Sequence, residues 1–294
     1  NDRMPEFLTT REVADLLRIK ERKVYDLAAS GSIPHTKAMG KLLFPRDAIN
    51  QWLAQASAGQ EASPAPVRPS VFLGSHDPLL DWALRQSGCG IATWFDGSDD
   101  GLDRFGRHEG IATGLHLYDA DGDSWNVSAV ANRFVDAASV LVGWSLRDRG
   151  LIVSEQKKSS IKKLSDLKGC RFTPRQPGSG AQNLFIHLAK QQDLDLQSVK
   201  MGEPALTEVD AASAVLEGEA DVAFGLATLA AQYKLPFVPI VQERFDLLIH
   251  RQAWFEPPMQ QFWSFCNGIA FGERAARLKG YDISELGIVR FNST

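Results

Sequence analysis

Apolar residues at helical spacing mark a short helix near the start of the chain. Thr9 is followed three residues later by Glu12, the pattern of a capping box, so the sequence predicts a helix that begins at Thr10. Residues three and four positions apart form its apolar face, namely Val13, Ala14, Leu16 and Leu17. The turn that follows holds Ile19 between Arg18 and Lys20, and we expect Ile19 to fill the space between this helix and the next.

The same periodicity predicts a second helix over residues 21–30. Its inward positions are Val24, Leu27 and Ala28. Gly31 stands where a helix commonly ends in a left-handed residue.

A hairpin and a third helix are predicted next. The segments Ile33-Pro34 and Leu42-Leu43-Phe44 flank a turn at Met39-Gly40, which indicates a β-wing. Asp47 is placed to cap the last helix. That helix completes a small core with three apolar residues, Ile49, Trp52 and Leu53.

The residues predicted to face outward from this module are mainly basic. Residues 1–46 hold nine Lys/Arg and six Asp/Glu, a net charge of +3, so the rest of the chain carries −7 to give the overall −4. A basic second helix behind a three-residue turn is typical of proteins that read the major groove of DNA. The candidate DNA-binding residues are Arg18, Lys20, Arg22, Lys23, Tyr25, Lys37 and Lys41. The alternative is a small helical adaptor that contacts a protein and whose basic residues are only solvated.

Residues 7–53 resemble the excisionase-type winged helix-turn-helix, a relative of the mercury-regulator family. The matching residues are Leu8-Thr9, Glu12-Val13-Ala14, Leu16-Leu17, Val24-Tyr25, Gly31-Ser32-Ile33-Pro34, Gly40, Phe44, Arg46-Asp47 and Trp52-Leu53. The resemblance implies DNA binding, with the second helix in the groove of a double-stranded operator.

Residues 56–70 separate this module from the rest of the chain. They are rich in Ala, Ser and Pro and have no apolar periodicity, which is the composition of a linker. The predicted domains are therefore a winged helix-turn-helix over residues 1–55, a linker over 56–70 and a ligand-binding domain over 71–294.

Beyond residue 70, apolar β-branched segments alternate with helical segments. Predicted strands include Val71-Phe72-Leu73, residues 111–117, 140–144, 151–153, 170–173, 220–224, 237–241 and 245–249. The helices between them are predicted near residues 78–86, 181–191 and 211–217. This alternation predicts an α/β fold with a largely parallel sheet.

Small and polar residues collect where these strands end. In parallel sheets, ligands bind at the carboxyl ends of the strands, where helix N-termini offer free N–H groups to anions. At these strand ends, hydroxyl and guanidinium groups can donate hydrogen bonds and glycines let a ligand approach the backbone. The sequence therefore predicts a site for a small anion. The candidate ligand-binding residues are Ser75, His76, Thr113, His116, Arg175, Ser179, Gly180 and Gly225. For each Ser-Gly pair the alternative is a helix cap or a tight turn.

Residues 71 to about 291 look like the periplasmic-binding-protein-like domain of cytoplasmic regulators. The residues that carry the resemblance include Gly74-Ser75-His76-Asp77, Gly114 to Asp119, Asn126, Arg149 to Val153, Arg175-Gln176, Gly178-Ser179-Gly180, Glu243 to Leu247 and Gly280-Tyr281-Asp282. The resemblance implies a type II, two-lobed domain with the ligand in the cleft. Lobe 1 would span about 71–152 and 243–294 and lobe 2 about 153–242, with crossings near 150–154 and 239–245. It also implies molybdate or tungstate as the effector.

Two departures from that family bear on the ligand. Ala181-Gln182 replace a usual Thr-Arg, and Glu208-Val209-Asp210 replace a common Thr-His pair. A hydroxyl and a cation are thus missing from the expected anion site. A small organic acid or a sulfur oxyanion is the alternative ligand.

The remaining composition restricts the class of protein. Cys89, Cys170 and Cys266 are too few and too far apart for a disulfide framework or a zinc site, so we expect buried free thiols in a cytoplasmic protein. No apolar run reaches the length of a membrane span, and no metal or cofactor is predicted. Gly178-Ser179-Gly180 lacks the nucleophile-elbow spacing, which argues against an enzyme, although binding-protein folds also occur in porphobilinogen deaminase-like chains.

The sequence therefore predicts a ligand-responsive transcription regulator that binds DNA and a small anion. Because one helix-turn-helix contacts one half-site, a homodimer or tetramer is expected. The alternative is a sensing module whose N-terminal domain contacts a protein.

Overall fold

The computed structural model describes residues 7–38, 40–57, 67–135 and 137–293. Their contacts divide the chain into two compact units, with the boundary between Val67 and Arg68. Each unit encloses its own hydrophobic core.

The first unit combines three helices with a three-stranded antiparallel sheet. The helices are α1 (Thr10–Leu17), α2 (Glu21–Ala29) and α3 (Arg46–Ser57). The strands are β1 (Phe7–Thr9), β2 (Thr36–Ala38) and β3 (Lys41–Pro45), in the order β1-β3-β2.

The capping box at the start of α1 is confirmed. The Thr9 hydroxyl accepts the Glu12 N–H at 3.3 Å, and the Glu12 carboxylate accepts the Thr9 N–H at 2.7 Å. The helix therefore begins where the sequence predicts. Gly31 has φ of +70°, as expected of the residue that stops α2.

Other predictions for the first unit are wrong in detail. Leu16 is 47% exposed, because α1 buries only the arc around Val13 and Ala14. Ile33 is buried in the core and does not belong to the wing, whose first strand is Thr36–Ala38. Helix α3 already begins at Arg46, so Asp47 lies in its first turn and is not its cap. Of the predicted turn, Met39 lies outside the described residues.

The second unit contains nine further helices in the described part of the chain. They are α4 (Pro78–Gln86), α5 (Ser98–Gly106), α6 (Val127–Arg133), α7 (Gly180–Gln191), α8 (Glu208–Leu216), α9 (Ala227–Gln232), α10 (Arg251–Trp254), α11 (Pro257–Cys266) and α12 (Ile269–Arg277). Single 3₁₀ turns occur at Glu155–Lys157, Leu164–Leu167 and Leu196–Ser198.

Its strands form one large sheet and one small hairpin. The strands are β4 (Val71–Gly74), β5 (Ala92–Trp94), β6 (Ala112–Leu115), β7 (Tyr118–Asp119), β8 (Ser124–Trp125), β9 (Ser139–Val153), β10 (Arg171–Thr173), β11 (Lys200–Met201), β12 (Val222–Leu226), β13 (Phe237–His250), β14 (Tyr281–Asp282) and β15 (Val289–Asn292). The large sheet has the order β11-β10-β12-β9-β13-β6-β4-β5, with β14 and β15 also paired to β9. Strands β7 and β8 pair with each other.

The expectation of a largely parallel sheet is wrong. The strands at each end of the sheet are parallel, but β9 and β13 pair antiparallel along their length in the middle. Each replaces two shorter strands that the sequence predicts as separate. Two register shifts, between Pro239 and Val241 and between Phe245 and Asp246, interrupt this pairing.

Hydrophobic cores lie towards the two ends of this central pair. One core surrounds Trp144 and Phe262, and another surrounds Phe172 and Phe185. Strand β9 contributes to both, with Trp144 in the first and Leu151 in the second. The two long strands thus run from one lobe into the other, which is the two-lobed α/β architecture that the family resemblance implies.

Candidate functional site

A small cavity lies between the loops that follow the strands of the two lobes. Its volume is about 60 Å³, enough for roughly four water molecules. The lining residues are Ser75, His76, Phe95, Asp96, Gly97, His116, Arg175, Gln176, Ser179, Gly180, Ala181, Leu206, Thr207 and Glu208. We call this cavity the cleft.

The N-termini of three helices, α5, α7 and α8, line the cleft. Ser179 and Thr207 cap α7 and α8, and their side chains each accept one N–H of the first turn. The N-cap of α5 is Gly97, which has no side chain with which to bond the first N–H groups. Converging helix N-termini create a positive potential that favours an anion.

Two serines and a backbone N–H connect the lobe 1 loops. The hydroxyls of Ser75 and Ser98 are 2.8 Å apart, and the Ser98 hydroxyl accepts the backbone N–H of His116 at 3.2 Å. Ser75 is 5% exposed and lines the cleft. Its hydroxyl can therefore turn from Ser98 to a ligand without moving the backbone.

Arg175 enters the cleft from lobe 2 but is held by the protein. Its Nε donates to the Ala205 carbonyl at 3.1 Å and its Nη2 to the Leu206 carbonyl at 3.0 Å. Its Nη1 lies 3.1 Å from Glu208 Oε1. Burial lowers the pKa of this guanidinium. One of the two N–H groups on Nη1 is left for a ligand.

Behind the cleft, charged side chains form a buried network on β9 and β13. Glu243 accepts hydrogen bonds from Arg147 and from Arg149, and Arg149 also donates to Glu208 at 2.8 Å. Arg147 continues the network to Asp77 at 2.9 Å. The network therefore connects lobe 1 through the two long strands to the residues that line the cleft.

Each charge in this network is stabilised by a partner of opposite sign. Burial raises the pKa of Glu208, but Arg149 and Arg175 outweigh it and bring the pKa to about 2. Burial also raises the pKa of Glu243, yet Arg147 and Arg149 hold it well below its usual value. Burial lowers the pKa of His116, and the neighbouring Glu243 opposes this shift. The two carboxyl groups are thus ionised at neutral pH, and the imidazole of His116 is neutral.

Six of the eight predicted ligand-binding residues line the cleft. They are Ser75, His76, His116, Arg175, Ser179 and Gly180. The ring of His76 meets that of Phe95 edge to face, and the next residue, Asp77, caps α4. Ser179 and Thr207 each cap a helix and also line the cleft, so a role as helix cap does not exclude a residue from the site.

The other two predicted residues lie elsewhere. The side chain of Thr113 is fully buried beside Gly74 and Gly101, because successive strand residues point to opposite faces. A Cβ on Gly225 would lie 2.7 Å from Ile152 Cδ1, so this glycine permits close packing of β12 on β9. Neither residue belongs to the lining of the cleft.

Sequence reasoning missed two carboxylates in the lining, Asp96 and Glu208. Asp96 is exposed and accepts the Trp94 indole N–H at 3.3 Å. Glu208 stands out in the sequence only as a departure from the family pattern. Its burial beside Arg149 depends on residues 59 positions apart and has no local signal.

In the first unit, all seven candidate DNA-binding residues are exposed. Tyr25, Lys37 and Lys41 line a groove of about 800 Å³ together with Arg11 and His35. The other four, Arg18, Lys20, Arg22 and Lys23, lie on the turn and the first part of α2, outside the lining of that groove. The structure thus divides the candidates between the start of α2 and a groove beside the wing.

Within the described residues there is neither a cluster of three or more His, Cys, Asp or Glu side chains that could hold a metal nor a helix long and apolar enough to cross a membrane. The three cysteines are buried and unpaired.

A three-helix module with a wing, followed by a two-lobed α/β domain with a cleft, defines a DNA-binding protein that carries a ligand-binding domain. Residues 7–57 match the helix-turn-helix domain family, and residues 81–267 match the PBP superfamily domain. The chain belongs to the PBP superfamily and has a helix-turn-helix at its N-terminal end. This combination is that of a ligand-responsive transcription regulator with DNA and a small ligand as its partners.

Two relatives align with this chain over very different lengths. The uncharacterized protein YvgK of Bacillus subtilis (strain 168) is 26% identical over 302 residues, which cover 96% of each chain. An uncharacterized protein from the 5′ region of a ferredoxin 2Fe-2S gene of Clostridium pasteurianum is 34% identical over 77 residues, 26% of this chain and 68% of that one.

Solved structures are more distantly similar. Full-length BenM is 13% identical with a TM-score of 0.47, covering 91% of this chain and 92% of its own. An ancestral arginine-binding protein bound to arginine is 14% identical with a TM-score of 0.47, covering 71% of this chain and 97% of its own.

Proposed function

We propose that this chain regulates transcription in response to a small anion bound in the cleft between its two lobes. The observation that carries the proposal is the meeting of three helix N-termini, those of α5, α7 and α8, around a cavity of about 60 Å³. Aligned N–H groups at such termini bind anions, and the small volume restricts the ligand to a few non-hydrogen atoms.

The DNA-binding part of the proposal rests on α2. Its first turn presents Arg22 and Lys23 to solvent, and Arg18 and Lys20 extend the basic surface into the preceding turn. Side chains at this position of a helix-turn-helix contact bases and phosphates in the major groove. Lys37 and Lys41 of the wing would add phosphate contacts beside Tyr25.

Two classes of small anion are candidates for the effector. A tetrahedral oxyanion such as molybdate or tungstate would accept hydrogen bonds from the hydroxyls of Ser75 and Ser179 and from the N–H groups of the helix N-termini. A small organic acid or a sulfur oxyanion is the second class. Asp96 favours the organic acid, because its carboxylate in the lining repels a dianion more strongly than it repels a monoanion.

Binding is proposed to act by closing the lobes. A ligand shifts a conformational equilibrium only through a difference in its affinity for the two states. Because lining residues come from both lobes, the closed state offers more contacts to the ligand and is favoured by it. In a homodimer or tetramer, closure would change the spacing of two helix-turn-helix modules and therefore operator affinity.

Two experiments test the proposal. Calorimetric titration with molybdate, tungstate, sulfate, thiosulfate, acetate, glycolate and glycine should reveal a ligand whose binding is weakened in Ser179→Ala. Thr9→Ala removes an equivalent hydroxyl cap from the other unit and should leave the affinity unchanged. Each cap contributes about 1 kcal/mol of stability, so thermal melts must show both variants folded.

A gel shift with duplex operator DNA, with and without the ligand found by calorimetry, tests the regulator itself. Specific retardation that changes with ligand supports it. Absence of any duplex binding, with the protein folded, would instead favour the adaptor alternative for residues 1–55.

A further inference from the structure

His116 is held between the two lobes at the base of the cleft. Its ring lies nearly parallel to that of Phe245, with centroids 5.9 Å apart, and its Nδ1 is 3.2 Å from Glu243 Oε2. Gly180 of α7 also lies against the ring, since a Cβ there would be 3.1 Å from the Cε1 atom of His116. The residue is 6% exposed and lines the cleft.

The partners of Glu243 decide which nitrogen of His116 carries the proton. Glu243 lies between Arg147 and Arg149, and an ionised carboxylate only accepts hydrogen bonds. Nδ1 must therefore be the donor. In a neutral imidazole the other nitrogen, Nε2, then has a lone pair and no hydrogen.

That lone pair has no partner among the described residues. The hydrogen bonds of His116 there involve its backbone N–H, with Ser98, and its Nδ1, with Glu243. Nε2 is also not among the fully buried side-chain atoms that lack a partner, so it keeps some accessible surface. Because His116 lines the cleft, the accessible surface of Nε2 is open to a ligand there.

The lining of the cleft therefore contains hydrogen-bond acceptors as well as the N–H donors of the helix N-termini. Asp96 and Glu208 add two carboxylates to the same lining. A ligand composed only of acceptor oxygens would satisfy the N–H groups and leave Nε2 of His116 unpaired. A ligand that also carries a hydroxyl or amino group would satisfy both sets.

We propose that the effector bears a hydrogen-bond donor beside its anionic group, as a small hydroxy acid or amino acid does, and that His116 selects it through Nε2. Glu243 acts as the positioning residue, because it holds the ring in the tautomer with the proton on Nδ1. This inference rests on the proposed function of the cleft as an anion site.

The tautomer of His116 can be measured on the full chain without any ligand. Long-range ¹H–¹⁵N spectra at pH 7 should show Nδ1 protonated and Nε2 without a proton. An Nε2–H tautomer, or an imidazolium at that pH, would overturn the inference. In Glu243→Gln the carboxamide oxygen remains with the arginines and its NH₂ faces Nδ1, so the tautomer should invert. The measurement on the unsubstituted chain decides the matter even if Glu243→Gln does not fold.

Selection is tested by calorimetry with four probes. Glycolate and glycine have a donor beside a carboxylate, whereas acetate and molybdate do not. One neutral hydrogen bond contributes about 1 kcal/mol, so the better of glycolate and glycine should bind roughly fivefold to tenfold more tightly than acetate. His116→Phe, which keeps a ring over Phe245, should lose this preference and retain acetate binding.

The outcomes separate this inference from the proposed function. Acetate or molybdate bound as tightly as glycolate and glycine would overturn the inference and leave the anion site standing. Failure of all four probes, and of the other anions tested above, would overturn both.

Discussion

Gly180→Ala is expected to force the two sides of the cleft apart. Gly180 is the first residue of α7, and a Cβ built there lies 2.9 Å from the His116 carbonyl oxygen and 3.1 Å from its Cε1 atom. The first of these atoms belongs to the backbone, so it cannot move without displacing the end of β6. The lobes must separate locally, or the helix start must shift.

The size of the effect follows from two opposed contributions. Overpacking of a close contact costs about 1–3 kcal/mol. Alanine in place of glycine in a helix stabilises the fold by up to about 1 kcal/mol. Because the clash exists only when the lobes are closed, its cost falls on the closed state, and a ligand that needs closure should bind roughly 5- to 150-fold more weakly. The melting temperature should change little.

The assay compares the interlobe distance with the ligand affinity. Spin labels on cysteines introduced by Gln86→Cys and Lys190→Cys, both at exposed positions, report the distance between α4 and α7. Gly272→Ala is the matched control, because it lies within α12 and its Cβ would meet no atom within 4 Å. If Gly180→Ala and Gly272→Ala have the same distance distribution and the same affinity, the closed contact at His116 does not govern binding.

Three further predictions concern DNA, pH and assembly. Arg22→Ala with Lys23→Ala should weaken duplex binding and leave ligand binding intact. The slope of log affinity against log salt should fall by about one unit per lost phosphate contact. An unchanged duplex affinity would contradict the assignment of α2 as the DNA-contacting helix. Burial raises the pKa of Asp246 to about 6, so the folded protein binds a proton at this residue more tightly than the unfolded chain does. The resulting stabilisation is fully present below pH 4 and is lost as the pH rises to 6. It amounts to about 3 kcal/mol for two pH units. In urea denaturation, Asp246→Asn should therefore have a higher free energy of unfolding than the unsubstituted protein at pH 7 and nearly the same free energy at pH 4. An equal difference at both pH values would refute the raised pKa. Sedimentation of the full chain at micromolar concentration should show a dimer or tetramer, and a monomer would require DNA to drive assembly.

Local sequence rules were sufficient for the start of α1 and the end of α2. The capping box of Thr9 and Glu12 and the left-handed Gly31 bound α1 and α2, because each depends on residues within one helical turn. The third strand of that sheet, β1, pairs with β3 more than thirty residues away and was not predicted. Helical spacing predicts that Leu16 faces inward, whereas it is exposed, because the spacing gives the position of an apolar stripe and not its width.

For the second unit, the residue pattern alone predicts the alternation of strands and helices and the small, hydroxyl-bearing residues at the strand ends. That β9 and β13 are continuous and antiparallel is visible only in the folded chain, since their pairing joins residues between 85 (Ile152 and Phe237) and 111 (Ser139 and His250) positions apart. The tertiary structure also decided which way Thr113 points and which charges meet at Glu243. Buried ion pairs between distant strands leave no periodic signal, because each charged residue alone is typical of an exposed position. The donors of the cleft are local features of helix starts, whereas its acceptors, His116 beside Glu243 and Glu208 beside Arg149, are brought together only by the fold.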